Sequence, residues 1–482
     1  MKKPNKNKGN YKPNSLPLKT FAFTAKKVRA YGDFLKKYGI NPNLVKNKED
    51  FETLPITDKK NYLQEYSFID LVPDGKIPPM ISASSGSSGQ PFYWPRDDGH
   101  EKWGGELHDI ILRDIFKLKR KRVLAVICFS MGNWIAGTFT LASMREIARK
   151  KGFQLTTITP GIDKDDAIAT LKNFANGFDA VILFGYPPFI MDVVVEAEAA
   201  SVDLKKLNLH FVLAGENFSE KWRELLHKLA YVPKGEIRSI SIYGTADAGA
   251  IGHETPLTIA VRELALTHND FHNELCGPTS FLPTMVTYYP NKTYFELLNG
   301  ELVFTAMTGI PLVRYNIKDH GILLSHIQIE SLLKKHNLLT KSLSSLIKKW
   351  QTPVLVLKGR NDVSVTFYAL NIYPENIKAG LEDNAIRSFV TGKYITYTKQ
   401  SKDFREQTLH IEVELKPNIT PSRIIKKNIS DIIVKYLIEL NTEYRKLFNS
   451  IHKKALPVIK LIPYGHEQFI TRKAKHSWVK KN

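Results

Sequence analysis

A run of four serines and two glycines is the part of the chain whose side chains most clearly suggest chemistry. It reads Ser84-Ser85-Gly86-Ser87-Ser88-Gly89 and is followed by Gln90-Pro91. Short β-prone segments flank it at 79–81 and 92–94, which predicts a hairpin-like turn. Serine hydroxyls and the amides of a glycine-containing loop can surround phosphate oxygens. No Gly-Lys-Ser/Thr follows, so this is not a Walker-type loop, and a solvated Ser/Gly linker is the alternative interpretation.

Four further stretches combine turn residues with charged or aromatic side chains. In chain order they are Ala214-Gly215-Glu216, Tyr243-Gly244-Thr245-Ala246-Asp247, residues 311–319, and residues 359–375. Any one of them alone is a weak signal. Taken with the serine loop, their order and spacing resemble the motifs of the adenylate-forming (acyl-CoA synthetase) superfamily, most closely its phenylacetate-CoA ligase branch. The similarity runs from about Tyr31 to Lys475.

The resemblance implies a ligase that works in two steps. In this superfamily a carboxylate attacks the α-phosphate of ATP, which gives acyl-AMP and pyrophosphate, and the acyl group then passes to a thiol. ATP, Mg2+ and coenzyme A would therefore be bound, together with a small-molecule carboxylic acid. The small domain of such enzymes rotates between the two steps.

The resemblance also assigns the nucleotide contacts. The loop Ser84-Ser85-Gly86-Ser87-Ser88-Gly89 would hold the β- and γ-phosphates through its hydroxyls. Ala214-Gly215-Glu216 would line one face of the adenine, and Tyr243-Gly244-Thr245 would place a tyrosine ring on the other face. Asp319 matches the carboxylate that binds both ribose hydroxyls, and Arg360 matches an arginine that reaches the ribose or the phosphates.

Three more residues would serve the reaction or the domain movement. Asp247 falls where the family commonly has a glutamate that holds Mg2+ against the phosphates, and an ordinary turn aspartate is the alternative. Lys473 aligns with the adenylation lysine, which bridges the carboxylate and the α-phosphate in the transition state. A frayed basic tail is the alternative for that lysine. Asp362 falls at the hinge of the small domain.

The acid substrate is expected beside the loop 185–189 and the turn 243–251. The residues that make this neighbourhood apolar and partly aromatic are Phe184, Tyr186, Phe189 and Ile251. Such a lining suits an aryl or otherwise hydrophobic acid. No cation that could pair with a second carboxylate stands out in these segments.

The elements that must position these residues alternate between helix and strand. Helical stretches separate buried runs that we predict as strands at 122–127, 153–158, 180–186, 209–216 and 237–243. This alternation indicates βαβ units with largely parallel sheets. Beyond residue 280 the chain becomes β-rich, and Asn299-Gly300 between two alternating apolar runs predicts a hairpin.

We therefore predict an α/β fold with a large N-terminal domain of βαβ-type sheets plus a β-rich subdomain, and a smaller, mobile α+β C-terminal domain. The predicted bounds are 1–13 for a disordered basic tail, 14–358 for the adenylate-binding domain and 359–482 for the small domain. One helix is predicted over 430–448 in the small domain. The Leu- and Lys-rich stretch 327–350 predicts one or two amphipathic helices that pack inward or dock a partner.

Composition limits the class of protein. The chain has 482 residues, two cysteines and a formal net charge of +21. The charge is dispersed and no recognition motif accompanies it, so no nucleic-acid partner is predicted. No apolar run reaches the ~18–20 residues that a membrane span needs, and we expect a cytoplasmic protein. Cys128 and Cys276 stand far apart without a Cys/His cluster, which predicts core residues rather than a disulfide or a zinc site.

Two other functions remain open at this point. An acyl carrier protein is acidic and would be attracted to a basic surface, which makes it the alternative acceptor to coenzyme A. A degenerate scaffold that keeps the fold without the chemistry is the other alternative. Four departures from the family pattern motivate it, namely Gln90 for lysine, Asp247 for glutamate, Lys318 for glycine and the missing glycine of the motif around Lys473. The sequence leaves the acid and the oligomeric state open.

Overall fold

A computed structural model describes residues 16–83, 92–150, 152–277, 282–360, 365–367, 370–400, 407–469 and 479 of the chain. Within these residues the α-helices are α1 (Leu16–Lys27), α2 (Arg29–Lys37), α3 (Lys48–Glu52), α4 (Phe68–Leu71), α5 (Asp98–Ile110), α6 (Ile135–Ala148), α7 (Lys164–Phe174), α8 (Pro187–Ala199), α9 (Glu220–Leu229), α10 (Pro256–Thr267), α11 (Asn269–Cys276), α12 (His326–Lys335), α13 (Lys341–Lys349), α14 (Pro374–Leu381), α15 (Arg423–Leu440) and α16 (Thr442–Ile451). Several begin at a capping side chain. Asp97, Asp163, Ser219 and Thr255 each accept a hydrogen bond from a backbone N–H of the first turn, which satisfies a donor that the helix itself leaves unpaired.

The strands of the same residues are β1 (Met80–Ala83), β2 (Tyr93–Arg96), β3 (Arg122–Cys128), β4 (Gln154–Ile158), β5 (Ala180–Gly185), β6 (Leu209–Ala214), β7 (Ser239–Thr245), β8 (Gly249–His253), β9 (Thr284–Tyr288), β10 (Thr293–Leu298), β11 (Glu301–Ala306), β12 (Leu312–Leu324), β13 (Val354–Arg360), β14 (Val365–Phe367), β15 (Leu370–Ile372), β16 (Val390–Gln400), β17 (Gln407–Leu415) and β18 (Val458–Ile462). Eleven of them form one sheet in the order β10-β11-β12-β13-β9-β8-β7-β6-β5-β3-β4.

One half of this sheet is parallel. Strands β4, β3, β5, β6 and β7 pair in parallel, each joined to the next along the chain by a helix. All six residues of β5 are buried, because helices cover both faces of a parallel sheet and leave no wet side. The predicted βαβ organisation is confirmed.

The other half is antiparallel and continues the same sheet. β8 pairs with β7 and with β9, and β13 joins β9 to β12. The predicted hairpin connects β10 to β11 through Asn299 and Gly300, whose φ angles of 52° and 84° match the turn that this residue pair favours. The β-rich part therefore extends the central sheet.

Residues 365–459 enclose a hydrophobic core of their own. Val365, Tyr394, Ile411 and Ile433 are among its buried members, and β16, β17 and β18 form a separate three-stranded sheet. The fold is the predicted α/β architecture with a smaller α+β part. The predicted boundary between 358 and 359 falls inside β13, which ends at Arg360.

Two predicted helical stretches take a different form. The single helix predicted over 430–448 is wrong, because α15 ends at Leu440 and α16 begins after Asn441, whose side chain accepts a hydrogen bond from the N–H of Tyr444 at 2.9 Å. The stretch 327–350 forms α12 and α13. Their buried side chains, Leu333, Leu343 and Ile347, belong to the main core, so these helices pack inward.

Both cysteines are buried and unpaired, as predicted. Burial raises the pKa of the Cys276 thiol to about 11 and that of the Cys128 thiol further still. In the described parts of the chain, no helix is both long and apolar enough to cross a membrane.

Candidate active site

The serine loop is carried by a two-stranded antiparallel hairpin. Met80 pairs with Arg96 at its far end and Ala83 pairs with Tyr93 next to the loop. The N–H of Ala83 donates to the carbonyl of Asn133 at 2.7 Å, which ties the hairpin to the segment that precedes α6. The predicted phosphate ligands at 84–89 lie outside the described residues, and their role stays a prediction.

Tyr243 and Asp319 come together although 76 positions separate them. The Tyr243 hydroxyl, at the end of β7, donates to Oδ2 of Asp319 on β12 at 2.5 Å. Asp319 is also the direct cross-strand partner of Arg360, whose side chain lies outside the described residues. The two residues predicted to hold adenine and ribose thus share one hydrogen bond.

Lys318, next to Asp319, stands where the family resemblance predicts a glycine. Its φ angle is +68°, in the left-handed region that glycine enters freely and other residues enter at a cost. Its N–H donates to Oδ1 of Asn316 at 2.8 Å, which helps to hold this conformation. The left-handed backbone conformation that precedes Asp319 in β12 therefore forms here without glycine.

Gly215 and Tyr186 form a second contact between predicted site residues. They follow β6 and β5, which are neighbouring parallel strands, so both lie at the carboxyl edge of the sheet. The φ angle of Gly215 is +91°, and a Cβ atom there would come within 2.5 Å of the Tyr186 ring. This position requires glycine for conformation and for space. Ala214 and Glu216 flank it in half-buried positions.

Asp247 lies in the turn between β7 and β8. Three side chains contact backbone carbonyls of this turn and of the start of β8. Arg96 Nη2 donates to the carbonyl of Ala246, His100 Nε2 contacts that of Ala248 at 3.1 Å, and Trp103 Nε1 donates to that of Ala250 at 2.8 Å. Thr245 accepts a further bond from the N–H of Ala248 at 3.0 Å. Sequence reasoning identified the turn but missed Arg96, whose only signal is that it closes the strand after the serine loop.

Burial shifts the pKa values of two of these side chains. Burial lowers the pKa of Arg96 to about 9, against the opposing effect of Asp247 and Asp97. Burial, followed by the charge of Arg96, lowers the pKa of His100 to about 4. His100 is thus neutral at pH 7, and Arg96 remains a cation that the interior holds at a cost.

The described residues fit Mg2+ only together with a nucleotide. They contain no group of three or more His, Cys, Asp or Glu side chains placed to hold a metal ion. Mg2+ is commonly held by one or two carboxylates while substrate phosphates and water complete its octahedron. Asp247 can supply one such carboxylate.

The predicted substrate residues divide into two groups. Tyr186 lines a small cavity of about 30 Å³ with Ile162, Pro188, Phe189, Asp192, Glu216 and Lys393. Phe184 and Ile251 do not line it, since both are fully buried in the core, where the Phe184 ring lies against His108. Sequence reasoning missed Lys393, because it lies in the small C-terminal part, more than 200 positions from Tyr186.

Lys393 also joins the small part to the large one. Its Nζ lies 2.5 Å from Oδ2 of Asp192 on α8 and 3.7 Å from Oε2 of Glu414. Burial alone would lower the pKa of Lys393. The two carboxylates have the larger effect together, so the pKa of Lys393 is raised. Lys393 is therefore a half-buried cation on the floor of the cavity beside Tyr186.

Three further contacts join the small C-terminal part to the large one. Tyr464 donates to Glu196 on α8, Ser219 donates to Glu382, and Lys378 Nζ donates to the carbonyl of Asn217 at 2.6 Å. The segment that follows Gly215 thus touches the small C-terminal part directly. The predicted catalytic Lys473 and hinge residue Asp362 lie outside the described residues and stay predictions.

Comparison with solved structures identifies the fold. A crystal structure of a 2-hydroxyisobutyryl-CoA ligase in the postadenylation state, in complex with R3-HIB-AMP, is similar over 96% of this chain and 88% of its own, with a TM-score of 0.67 and 13% identity. An acyl acid amido synthetase in complex with 2,4-DB is similar over 98% of this chain and 92% of its own, with a TM-score of 0.59 and 12% identity. The chain has the adenylate-forming fold. No protein-family model and no curated protein matches it.

The adenylate-forming fold gives the contacts described above a common setting. Its likeness covers both the large sheet and the small C-terminal part, because almost the whole chain is included. Within it, Gly215 directly follows β6, whereas Tyr243 lies on β7 and Asp319 on β12 of the same sheet. At 12–13% identity the likeness establishes the fold alone.

Proposed function

We propose that this protein is an AMP-forming acid–thiol ligase, similar to phenylacetate-CoA ligases. It would activate a carboxylic acid with ATP, release pyrophosphate and pass the acyl group from acyl-AMP to coenzyme A. The observation that carries the proposal is the hydrogen bond between Tyr243 and Asp319, which joins an aromatic ring and a carboxylate at one edge of the sheet. The solved neighbours named above include a CoA ligase bound to an acyl adenylate, which supports the same chemistry.

The chain's own residues would divide the binding work. Asp319 accepts hydrogen bonds through two oxygens, which suits the paired hydroxyls of a ribose. The Tyr243 ring and the backbone at Gly215 would enclose the adenine, and the serine loop would donate to the β- and γ-phosphates. Arg360 would reach the ribose or the phosphates from the strand beside Asp319. Mg2+, when bound at Asp247, would neutralise charge on the phosphates.

The small C-terminal domain would complete the reaction. Lys473 would bridge the acid carboxylate and the α-phosphate, so that its charge is worth most in the transition state. Asp362 would act as the hinge between the domain of residues 14–358 and that of residues 359–482. The contacts of Lys393 and Tyr464 with α8 would hold one of the two domain orientations.

The acid would enter beside Tyr186. The cavity there holds about 30 Å³, space for about one water molecule, so an acid would have to displace its lining. Its walls combine the apolar Ile162, Pro188 and Phe189 with polar side chains, namely the half-buried cation Lys393 and the carboxylates of Asp192 and Glu216. This lining favours an aryl or hydrophobic acid that also carries a polar substituent. Phe184 and Ile251 would support this wall from the core.

A carrier protein is the alternative acceptor. The net charge of +21 would attract an acidic acyl carrier protein as well as coenzyme A. We place the reaction in the cytoplasm, where ATP and coenzyme A are present. A scaffold without chemistry is the remaining alternative, and the assay below separates it from the ligase.

The first test is acid-dependent exchange of pyrophosphate into ATP with Mg2+, over a panel of aryl, fatty and amino acids. Exchange with one acid is expected, and it should fall at least about 100-fold in Asp247→Asn, because the metal supplies several kcal/mol of charge stabilisation. Asp203→Asn, which removes an exposed carboxylate elsewhere on the surface, is the matched control and should retain full exchange. ATP binding without exchange for any acid would favour the scaffold.

A second test separates the two half-reactions. Lys473→Ala should abolish exchange while thiol transfer from preformed acyl-AMP stays largely intact, and Lys475→Ala is the matched control two residues away. Equal loss of both half-reactions would contradict the role of Lys473. Running the transfer with coenzyme A and with an acyl carrier protein in parallel identifies the acceptor.

A further inference from the structure

One face of the β1–β2 hairpin is turned into the protein and carries polar side chains. Ser82 pairs with Trp94, and Arg96 lies two residues beyond Trp94. Cross-strand partners and alternate residues of antiparallel strands project to the same side, so the three side chains share one face. Their exposed fractions are 1%, 2% and 4%.

The donors on this face lack partners within the described residues. Ser82 Oγ, Trp94 Nε1, and Nε and Nη1 of Arg96 are all buried and make no hydrogen bond there. A buried polar atom without a partner destabilises the folded chain, and the effect is larger when the atom belongs to a charged group. Four such atoms on three neighbouring side chains form a concentrated cost, which a ligand with several acceptors would relieve.

The chemistry of the face selects the ligand. An indole N–H and a guanidinium only donate, and a hydroxyl can donate as well. A ligand that fills the face must therefore accept from all three side chains. It should carry negative charge, because the charges of Asp247 and Asp97 only partly offset the burial of the Arg96 cation. An oxyanion with several unprotonated oxygens meets these conditions.

The position of the face relates this oxyanion to the nucleotide. The same hairpin continues into the serine loop at 84–89, which would hold the β- and γ-phosphates. Nη2 of Arg96 donates to the carbonyl of Ala246, directly before Asp247, which would hold Mg2+ against those phosphates. The face therefore belongs to the hairpin of the serine loop and contacts the segment of Asp247, the two elements that would bind the phosphates of ATP.

We propose that Ser82, Trp94 and Arg96 form a subsite for the terminal phosphates of ATP and for the pyrophosphate that leaves. The subsite rests on the proposed function. When an oxygen of the acid forms its bond to the α-phosphorus, the bond from that phosphorus to the bridging oxygen breaks. The electron pair moves onto pyrophosphate, and Arg96 would stabilise the charge that increases there.

Calorimetric titration with pyrophosphate, ATP and AMP in the presence of Mg2+ tests the subsite without relying on turnover. Arg96→Met keeps most of the side-chain length and removes the charge and its donors. It should weaken binding of pyrophosphate and ATP at least about tenfold, since bonds to charged groups are among the strongest. AMP, which lacks the terminal phosphates, should bind as tightly as it does to the wild type.

Two kinds of control accompany this variant. Arg149→Met removes an arginine that is 66% exposed and paired with Glu146 on the surface, and it should leave all three affinities unchanged. Trp94→Phe and Ser82→Ala each remove one donor while preserving most of the packing. Each should weaken pyrophosphate binding a few-fold, and they keep the test valid if Arg96→Met fails to fold.

The outcomes separate the subsite from the proposed function. Unchanged pyrophosphate affinity in folded Arg96→Met would overturn the subsite, as would an equal loss of affinity for AMP. If the wild type binds pyrophosphate through Arg96 but shows no acid-dependent exchange, the ligase proposal fails while the subsite stands. If exchange occurs in the wild type and Arg96→Met binds pyrophosphate normally, only the subsite fails.

Discussion

Two regions of this protein bury arginine side chains, and they treat the charge in opposite ways. Between α9 and α10, Arg223 donates to both oxygens of Glu254 at 2.8 and 2.9 Å and to Glu220 at 2.6 Å, and Arg262 donates to Glu254 at 2.8 Å. On the β1–β2 hairpin, Arg96 donates to one carbonyl. The first region pairs its cations with hydrogen-bonded carboxylates, whereas Asp247 and Asp97 act on Arg96 through their charge without a hydrogen bond to it among the described residues.

The difference is visible in the pKa values of the two arginines. Burial lowers the pKa of Arg223, but Glu254 and Glu220 more than offset it, and the pKa ends above its usual range. Burial of Arg96 is only partly offset by Asp247 and Asp97, and its pKa is lowered to about 9. The network around Glu254 therefore stabilises the scaffold, whereas the hairpin keeps a cation ready for an anion from outside.

Acidification should have the largest effect on the free energy of unfolding. It protonates one histidine in each of the two regions and three histidines elsewhere. Burial lowers the pKa to about 4 for all five, His100, His108, His210, His227 and His253. The unfolded chain takes up protons near pH 6.5 and the folded chain only near pH 4, so the free energy of unfolding should fall by several kcal/mol across this window. Urea unfolding from pH 7 to 4 measures it, and equal stability at pH 7 and 5 would contradict the expectation.

The network around Glu254 should break when its central charge is removed. Glu254→Gln leaves Arg223 and Arg262 without a fully buried carboxylate, and the free energy of unfolding should drop by about 3–5 kcal/mol. Urea unfolding at pH 7 measures the loss. Glu236→Gln is the matched control on a surface pair with Arg238 and should stay within about 0.5 kcal/mol of the wild type.

The hairpin should respond in the opposite direction. Arg96→Met replaces a poorly paired buried cation with an apolar chain of similar length, and the free energy of unfolding should rise by about 1 kcal/mol. The same variant is expected to lose affinity for pyrophosphate, so stability and binding would move apart. A loss of more than about 2 kcal/mol in urea would instead assign Arg96 to the scaffold.

The smallest effect concerns the backbone beside Asp319. Lys318→Gly should be more stable than Lys318→Ala by about 1 kcal/mol, because only glycine enters the left-handed region freely. Both variants lose the same side-chain contacts with Glu301, so their difference isolates the conformational term. Equal unfolding midpoints for the two variants would show that the turn relaxes.

The parallel half of the sheet could be predicted because its signals are local. Runs such as 180–185 are apolar throughout, as strands buried on both faces must be, and helices of regular length separate them. The pairing of β13 with β9 could not be predicted, since it joins segments about 70 positions apart. The break at Asn441 was missed because the apolar positions on either side keep helical spacing, and one capping side chain decides it.

The candidate site likewise contains residues that could be predicted from the sequence and residues that could not. Gly215, Tyr243 and Asp319 belong to short motifs that the sequence alone shows, and the structure places each of them in contact with a residue from another segment. Arg96 and Lys393 belong to no motif. Their importance comes from what surrounds them after folding, namely missing partners for one and two carboxylates for the other. Burial and pairing across distant segments leave no mark on a short stretch of sequence.

The two buried cysteines give this chain a practical property. The 482 residues contain only Cys128 and Cys276, both lie inside the large sheet region, and burial raises the pKa of both thiols. Thiol reagents act on the exposed thiolate, so the native protein should take up almost no maleimide. A pair of cysteines introduced on the exposed faces of α9 and α15 could therefore be labelled selectively with a fluorescent donor and acceptor. The natural chain already serves as the unreactive background that distance measurements between its two parts require.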